Sequence, residues 1–245
     1  MISTQSHSWS SVLRAIGLIG GMSWESTALY YRSINREVAR RLGGLRSAPM
    51  YIASLDFEEI AQRQRAGDWE AMAAILSDAG RDLVSNGADC LLIGTNTMHL
   101  VAPQVQAAVA VPLLHIAEVT ADAIAAAGLA RVGLLGTRFT MEQPFYRELL
   151  EARGIASLVP PTNDRAEVHR IIFEELCQGG ICDDSRRRLQ SVIAALLERG
   201  AQGIVLGCTE LPLILQAEHC PVPLFDTTEL HAMAAVEFAL QEVAT

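Results

Sequence analysis

Apolar residues fall in short runs along the chain, and polar turn residues separate these runs from longer stretches with helical spacing. The runs at residues 15–19, 50–54, 90–93, 113–115, 131–135, 204–206 and 223–225 are short and rich in Ile, Val and Leu, which predicts buried strands. Between them, as at residues 25–41 and 185–198, apolar positions recur every three or four residues and predict helices. Strand–helix alternation of this kind predicts an α/β fold with doubly wound parallel sheets.

The pattern occurs twice. IGLIGGMSWEST (16–27) parallels VGLLGTRFTMEQ (132–143), and GADCLLIGTNTMHLV (87–101) parallels GAQGIVLGCTELPLI (200–214). VPLLHIAEVTADAIA (111–125) parallels VPLFDTTELHAMAA (222–235), in the same order. Gly17 precedes Thr95 by 78 residues, and Gly133 precedes Cys208 by 75. We therefore expect two pseudo-symmetric α/β domains with a cleft between them. Residues 15–115 plus 227–245 form the first, residues 116–226 the second, and 1–14 a flexible polar tail. The last helix, near residues 230–243, is expected to return to the first domain, and the helix after His115 to pack on the second.

Ligands of open α/β sheets bind beyond the carboxyl ends of the strands. Thr95 and Cys208 end the matched strands and so are expected on opposite walls of one interdomain cleft, a common place for small ligands. Each precedes a predicted helix, whose N-terminal N–H groups favour an anion and would lower the Cys208 thiol below its usual pKa of about 8.5. Asn96, Thr97 and Thr209 add donors suited to a carboxylate. Gly20-Gly21-Met22-Ser23 and Gly136-Thr137-Arg138 form a second matched pair of strand-end loops, where Ser23, Thr137 and Thr140 cap helices or bind the same carboxylate. Taken singly, Cys208 reads equally as a buried small residue and Asn96-Thr97 as a capping segment.

Composition narrows the chemistry. The chain has 245 residues, half of them apolar, enough for one large core or two small ones. The net charge is −9 and no basic stripe interleaves with aromatics, which argues against nucleic-acid binding. The one basic run, Arg186-Arg187-Arg188, reads as a solvated helix face. The N-terminal residues lack the apolar core of a signal peptide, and no apolar run approaches the roughly 18–20 residues of a membrane span. No membrane association and a cytoplasmic location are therefore expected. Five dispersed cysteines without a CxxC pair argue against a disulfide framework or a structural zinc site. HExxH, GxxxxGK[ST] and GxGxxG are absent, so no metal or nucleotide is indicated. All 19 cationic residues are Arg, and a pyridoxal phosphate enzyme needs a Lys for its internal Schiff base.

The segments GLIGGMSWEST, GTNTMH, LLGTRFTMEQ, IIFEEL and GCTE resemble the aspartate/glutamate racemase family, and most of all its bacterial broad-specificity amino-acid racemases. The resemblance runs from Ala15 to the C-terminus. It implies two pseudo-symmetric α/β domains, a homodimer, an amino-acid substrate and racemisation without a cofactor by two thiols, one per domain. By that resemblance Cys208 is one acid/base group, and Thr95 stands where the other Cys is usual. Met22, Gln64, Asn96, Thr97, Thr209 and Glu210 match positions that line the pocket; Gln64, in Gln62-Arg63-Gln64-Arg65, would otherwise read as surface. Members dedicated to aspartate carry an Arg after the second strand and a Lys after the IIYE-like helix. Here those regions read Leu55-Asp56-Phe57-Glu58 and Glu175-Leu176-Cys177, without either cation. A strict preference for acidic substrates is thus not implied.

Racemisation needs a base on one face of Cα and an acid on the other. The expected assignment is proton removal by Cys208 and return by Thr95, or by a water it holds, with L to D the faster direction. Two rival readings are a single-cysteine lyase resembling arylmalonate decarboxylases and a non-catalytic amino-acid binder in which Thr95 marks lost activity.

Overall fold

The computed structural model describes residues 13–241. Most of the expected N-terminal tail, and residues 242–243 of the expected last helix, lie outside them. The tail's last two residues are not free: Leu13 packs on the core, and the Arg14 N–H donates to the Ala239 carbonyl at 3.0 Å.

Two parallel sheets carry the fold. The first orders its strands β2-β1-β3, with β1 Ile16–Gly20, β2 Met50–Ser54 and β3 Cys90–Ile93. The second orders them β5-β4-β6-β7, with β4 Arg131–Gly136, β5 Ala156–Leu158, β6 Ile204–Gly207 and β7 Leu224–Asp226. All pairings are parallel, with Ile16 opposite both Met50 and Cys90, and Gly133 opposite Ile204. The three-residue β5 was not anticipated. The expected strand at 113–115 is reduced to a bridge between Leu113 and Leu91. The ladder stops because the Leu114 carbonyl, next in line for β3, instead accepts from His231 Nε2 at 2.7 Å.

Among the described residues ten α-helices surround the sheets: α1 Trp24–Leu42, α2 Phe57–Ala66, α3 Trp69–Ser85, α4 Ala102–Ala107, α5 Ile116–Ala126, α6 Arg138–Glu142, α7 Pro144–Ala152, α8 Thr162–Arg170, α9 Asp183–Glu198 and α10 Thr227–Leu240. α1 shows why such segments are helical. Ser23 caps its start by accepting from the Ser26 N–H, Gly43 ends it at φ +74°, and Ser26, Tyr30, Ile34 and Val38 form a buried stripe at four-residue spacing. Among the described residues no helix is long and apolar enough to cross a membrane.

The helices cross over between sheets. α10 follows the second sheet, yet Ala232, Ala235, Val236 and Ala239 pack on Ile16, Leu18 and Leu92 of the first. α5 follows the first sheet, yet Ala117, Ala121 and Ile124 pack with Val132, Leu134 and Val205 of the second. Sheets covered on both faces need such apolar strands, and each buried Leu or Ile contributes about 1.5–3 kcal/mol.

Candidate active site between the two sheets

The carboxyl ends of both sheets open onto one cavity enclosing about 490 Å³ of unfilled space, its mouth included. Of the ten residues singled out from the sequence, Met22, Gln64, Thr95, Asn96 and Thr97 line it from the first half, and Thr137, Cys208, Thr209 and Glu210 from the second. Ser23 stands behind the wall, its hydroxyl donating to Glu210 Oε1 at 2.8 Å. Gln64 is buried, not surface, because α2 turns its Ile60, Ala61 and Gln64 edge inward.

The loop after β1 needs its glycine. Gly21 has φ +83°, and a Cβ there would lie 2.2 Å from the Leu55 carbonyl oxygen. The chain can then turn sharply enough to bring Met22 to the cavity and Ser23 to the start of α1.

Hydrogen bonds join the two halves around the cavity. Ser23 reaches Glu210 and the Thr97 and Thr137 hydroxyls meet at 3.3 Å, while Asn96 Nδ2 donates at 2.9 Å to Thr227 Oγ1, which carries the link on to the second half. Thr227 donates its own hydroxyl to the Leu206 carbonyl, so it must accept from Asn96. That fixes the amide and leaves Asn96 Oδ1 buried without a protein partner, an acceptor suited to an ammonium group.

The environment of Cys208 corrects one expectation. The chain beyond it makes a three-residue 3₁₀ turn, Leu211–Leu213, and the chain beyond Thr95 makes another, Thr97–Val101. Neither is an α-helix, so no macrodipole of useful length points at the thiol. Burial, and then the adjacent Glu210 carboxylate, hold the Cys208 thiol well above its ordinary range; the Glu210 backbone N–H works the other way without offsetting them. Cys208 is 8 % exposed, and its Sγ–H donates to Glu210 Oε2 at 3.0 Å. The same oxygen accepts from the Thr209 hydroxyl at 2.7 Å. Glu210 is therefore a buried carboxylate held by two hydroxyls and a thiol. Thr95, half-buried, lines the same cavity from the first half.

Sequence reasoning missed the apolar lining and the second thiol. Phe57, Ile60, Ile172 and Phe173 line the cavity, as does Cys177, whose thiol burial pushes up to about 12. Phe57 and Cys177 come from the two segments, Leu55-Asp56-Phe57-Glu58 and Glu175-Leu176-Cys177, in which the sequence has no cation. Among the described residues that line the cavity none is Arg or His, and Glu210 is the one that is charged. The helical pattern through Ile171, Ile172 and Leu176 could have shown which face turns inward, but not that a π-turn at Ile171–Glu175 shifts its register.

Two parallel-sheet halves thus close on one pocket, which Thr95 lines from the first half and Cys208 from the second. The chain belongs to the Asp/Glu/hydantoin racemase family, which it matches over residues 19–235, and whose reaction class is racemisation, an isomerase reaction. It is 51% identical to a candidate Asp/Glu racemase from Yersinia pestis, with a TM-score of 0.88 over 94% of this chain and 100% of that one. It is 35% identical to an aspartate racemase homologue from Pyrococcus horikoshii OT3, with a TM-score of 0.81 over 94% and 100% of the two chains. It is also 24% identical over 224 residues to the broad-specificity amino-acid racemase RacX of Bacillus subtilis (strain 168), covering 90% of this chain and 96% of that one.

Proposed function

We propose that the chain racemises an amino acid, aspartate and glutamate or a broader set, by proton transfer between Cys208 and Thr95 without a bound cofactor. The observation that carries this reading is the buried Cys208–Glu210 pair facing Thr95 across one cavity.

A neutral thiol is a poor base, so the first step moves the Cys208 proton along the existing hydrogen bond to Glu210 Oε2. The thiolate sulfur then takes the Cα proton of the L-enantiomer. The resulting carbanion takes a proton on its opposite face from the Thr95 hydroxyl, or from a water it holds, and Thr95 recovers one from solvent. Glu210 gives up its proton to close the cycle, so only Cα has changed. Asn96 Oδ1 receives the substrate ammonium, and the hydroxyls of Thr97, Thr137 and Thr209 face its carboxylate, where charge develops. Thr95 is a weak base, which makes the L-to-D direction faster without moving the equilibrium.

The test is solvent deuterium at Cα across a panel of L- and D-amino acids. Label appearing with at least one of them, and vanishing in Cys208→Ser, supports the reading; no label with any of them refutes it. The family match does not favour the lyase, and release of carbon dioxide from an arylmalonate would revive it.

A further inference from the structure

Behind Thr95 stand three imidazoles that the mechanism above does not use. His99 lies on the 3₁₀ turn Thr97–Val101 and is 1 % exposed. Its ring meets those of His115 at 4.6 Å and His231 at 5.7 Å between centroids. Both of its nitrogens are engaged. The Ile116 N–H, at the start of α5, donates to Nε2 at 3.2 Å, so that nitrogen must carry the lone pair. Nδ1 therefore carries the hydrogen, and it donates to the Thr95 carbonyl at 2.8 Å. The tautomer follows from these partners alone.

The neighbour is fixed in the same manner. The Tyr30 hydroxyl bonds His231 Nδ1 at 2.8 Å, while Nε2–H donates to the Leu114 carbonyl at 2.7 Å. A proton added to either ring would displace one accepted hydrogen bond and set a charge among buried imidazoles. Burial accordingly holds His99 well below its ordinary range and His231 down to about 3. Its two hydrogen bonds make His99 a neutral clamp with one arm on Thr95 and the other on α5.

We propose that His99 is a positioning residue for the Thr95 side of the reaction: its Nδ1–H holds the Thr95 peptide plane so that the Thr95 hydroxyl faces the Cα of the substrate. This rests on the assignment of Thr95 under the proposed function. The strand ends at Ile93, and Thr95 lies in a turn whose N–H donates back to the Ile93 carbonyl. No ladder holds the Thr95 carbonyl, which leaves the His99 bond to fix the plane.

Two variants separate the arms. In His99→Asn the amide nitrogen stands near the old Nδ1 and can still donate to the Thr95 carbonyl, while the Ile116 arm is lost. In His99→Gln the amide reaches the Ile116 N–H, and the Thr95 arm is lost. Each is incubated in deuterium oxide with L-aspartate, or with the L-amino acid that the panel selects. Label in the recovered L-enantiomer reports the Cys208 step alone, and label in the D-enantiomer reports both faces. The ratio of inversion to exchange should fall about tenfold or more in His99→Gln, a reacting group displaced by a fraction of an ångström, and stay within about twofold of the parent in His99→Asn. General loosening of the fold would lower both labels together and leave the ratio unchanged. An unchanged ratio in His99→Gln, or an equal fall in His99→Asn, overturns the inference while leaving the racemase reading intact. Absence of label with the parent protein overturns both.

Discussion

Replacing Glu210 by Gln tests the proposed chemistry with little change of shape. The carboxylate accepts from Cys208 at 3.0 Å, Thr209 at 2.7 Å and Ser23 at 2.8 Å. A Gln can turn its oxygen to Cys208 and Thr209 and its amide nitrogen to Ser23 Oγ, which already accepts from the Ser26 N–H. Hydrogen bonds to a charged acceptor weaken to ordinary ones, and the cost of burying the charge disappears with them. The two changes oppose each other, so the net effect on stability should be within about 1 kcal/mol, or about 2–4 °C in Tm for a chain of this size. Catalysis should respond far more. Without an acceptor for its proton, Cys208 must ionise alone inside a buried site. Loss of a positioned base of this kind costs about 10²- to 10³-fold in kcat, equivalent to about 3–4 kcal/mol in the barrier. The pH profile gives a second reading. Burial raises the thiol before Glu210 does, so it stays above its ordinary range in the variant. Activity of Glu210→Gln should therefore climb with pH toward the thiol range, and the parent should lack that climb. Racemisation followed by chiral chromatography from pH 6 to 10, beside a thermal melt, measures both. A variant within threefold of the parent at pH 7 with the same profile would refute the dyad.

Thr95→Cys should accelerate the slower direction by about tenfold or more, since a thiol is far easier to ionise than a hydroxyl; initial rates from each pure enantiomer decide it. Tyr30→Phe strips His231 Nδ1 of its partner in a fully buried site, which should cost about 1–3 kcal/mol in urea unfolding at pH 7. Acid should destabilise the fold early. His231 and His99 are depressed in the folded chain, so the stability tied to their neutrality is intact above about pH 6.5 and lost as pH falls toward the folded values, about 3 for His231. Between pH 6.5 and 5 His231 should forfeit about 1.6 kcal/mol, seen as a lower urea midpoint that partly recovers in His231→Phe relative to its own pH 7 value.

The strand runs were readable because parallel strands buried on both faces are continuous apolar segments, as Ile16–Gly20 and Ile204–Gly207 are. The pocket residues were readable because strand ends are where such folds bind ligands, and the repeat identified which strand ends correspond. Burial and partner choice were not readable. The thiol was expected to be acidified by a helix, and burial, followed by a carboxylate two residues later in the chain, reverses the sign. Leu113 was expected to start a strand, and a histidine more than a hundred residues away takes the hydrogen bond that would have continued it. Gln64 would have looked like surface beside Arg63 and Arg65, and only the family resemblance placed it in the pocket, where it lies. Nothing in the sequence set Cys177 apart from the other cysteines, and only the fold brings it to the cavity wall.

The exchange of helices between sheets has a mechanical consequence. The chain passes from one half to the other at two points, between Leu114 and Ile116 and between Asp226 and Thr227, and His231 ties the second crossing to the first through the Leu114 carbonyl. His115 and Asp226 cap the helices that leave these crossings, so both begin rigidly. The two sheets are thus the jaws of a clasp whose pins lie side by side. Cleaving the first crossing should leave two fragments that stay bound, because the C-terminal fragment carries α10, which covers the first sheet.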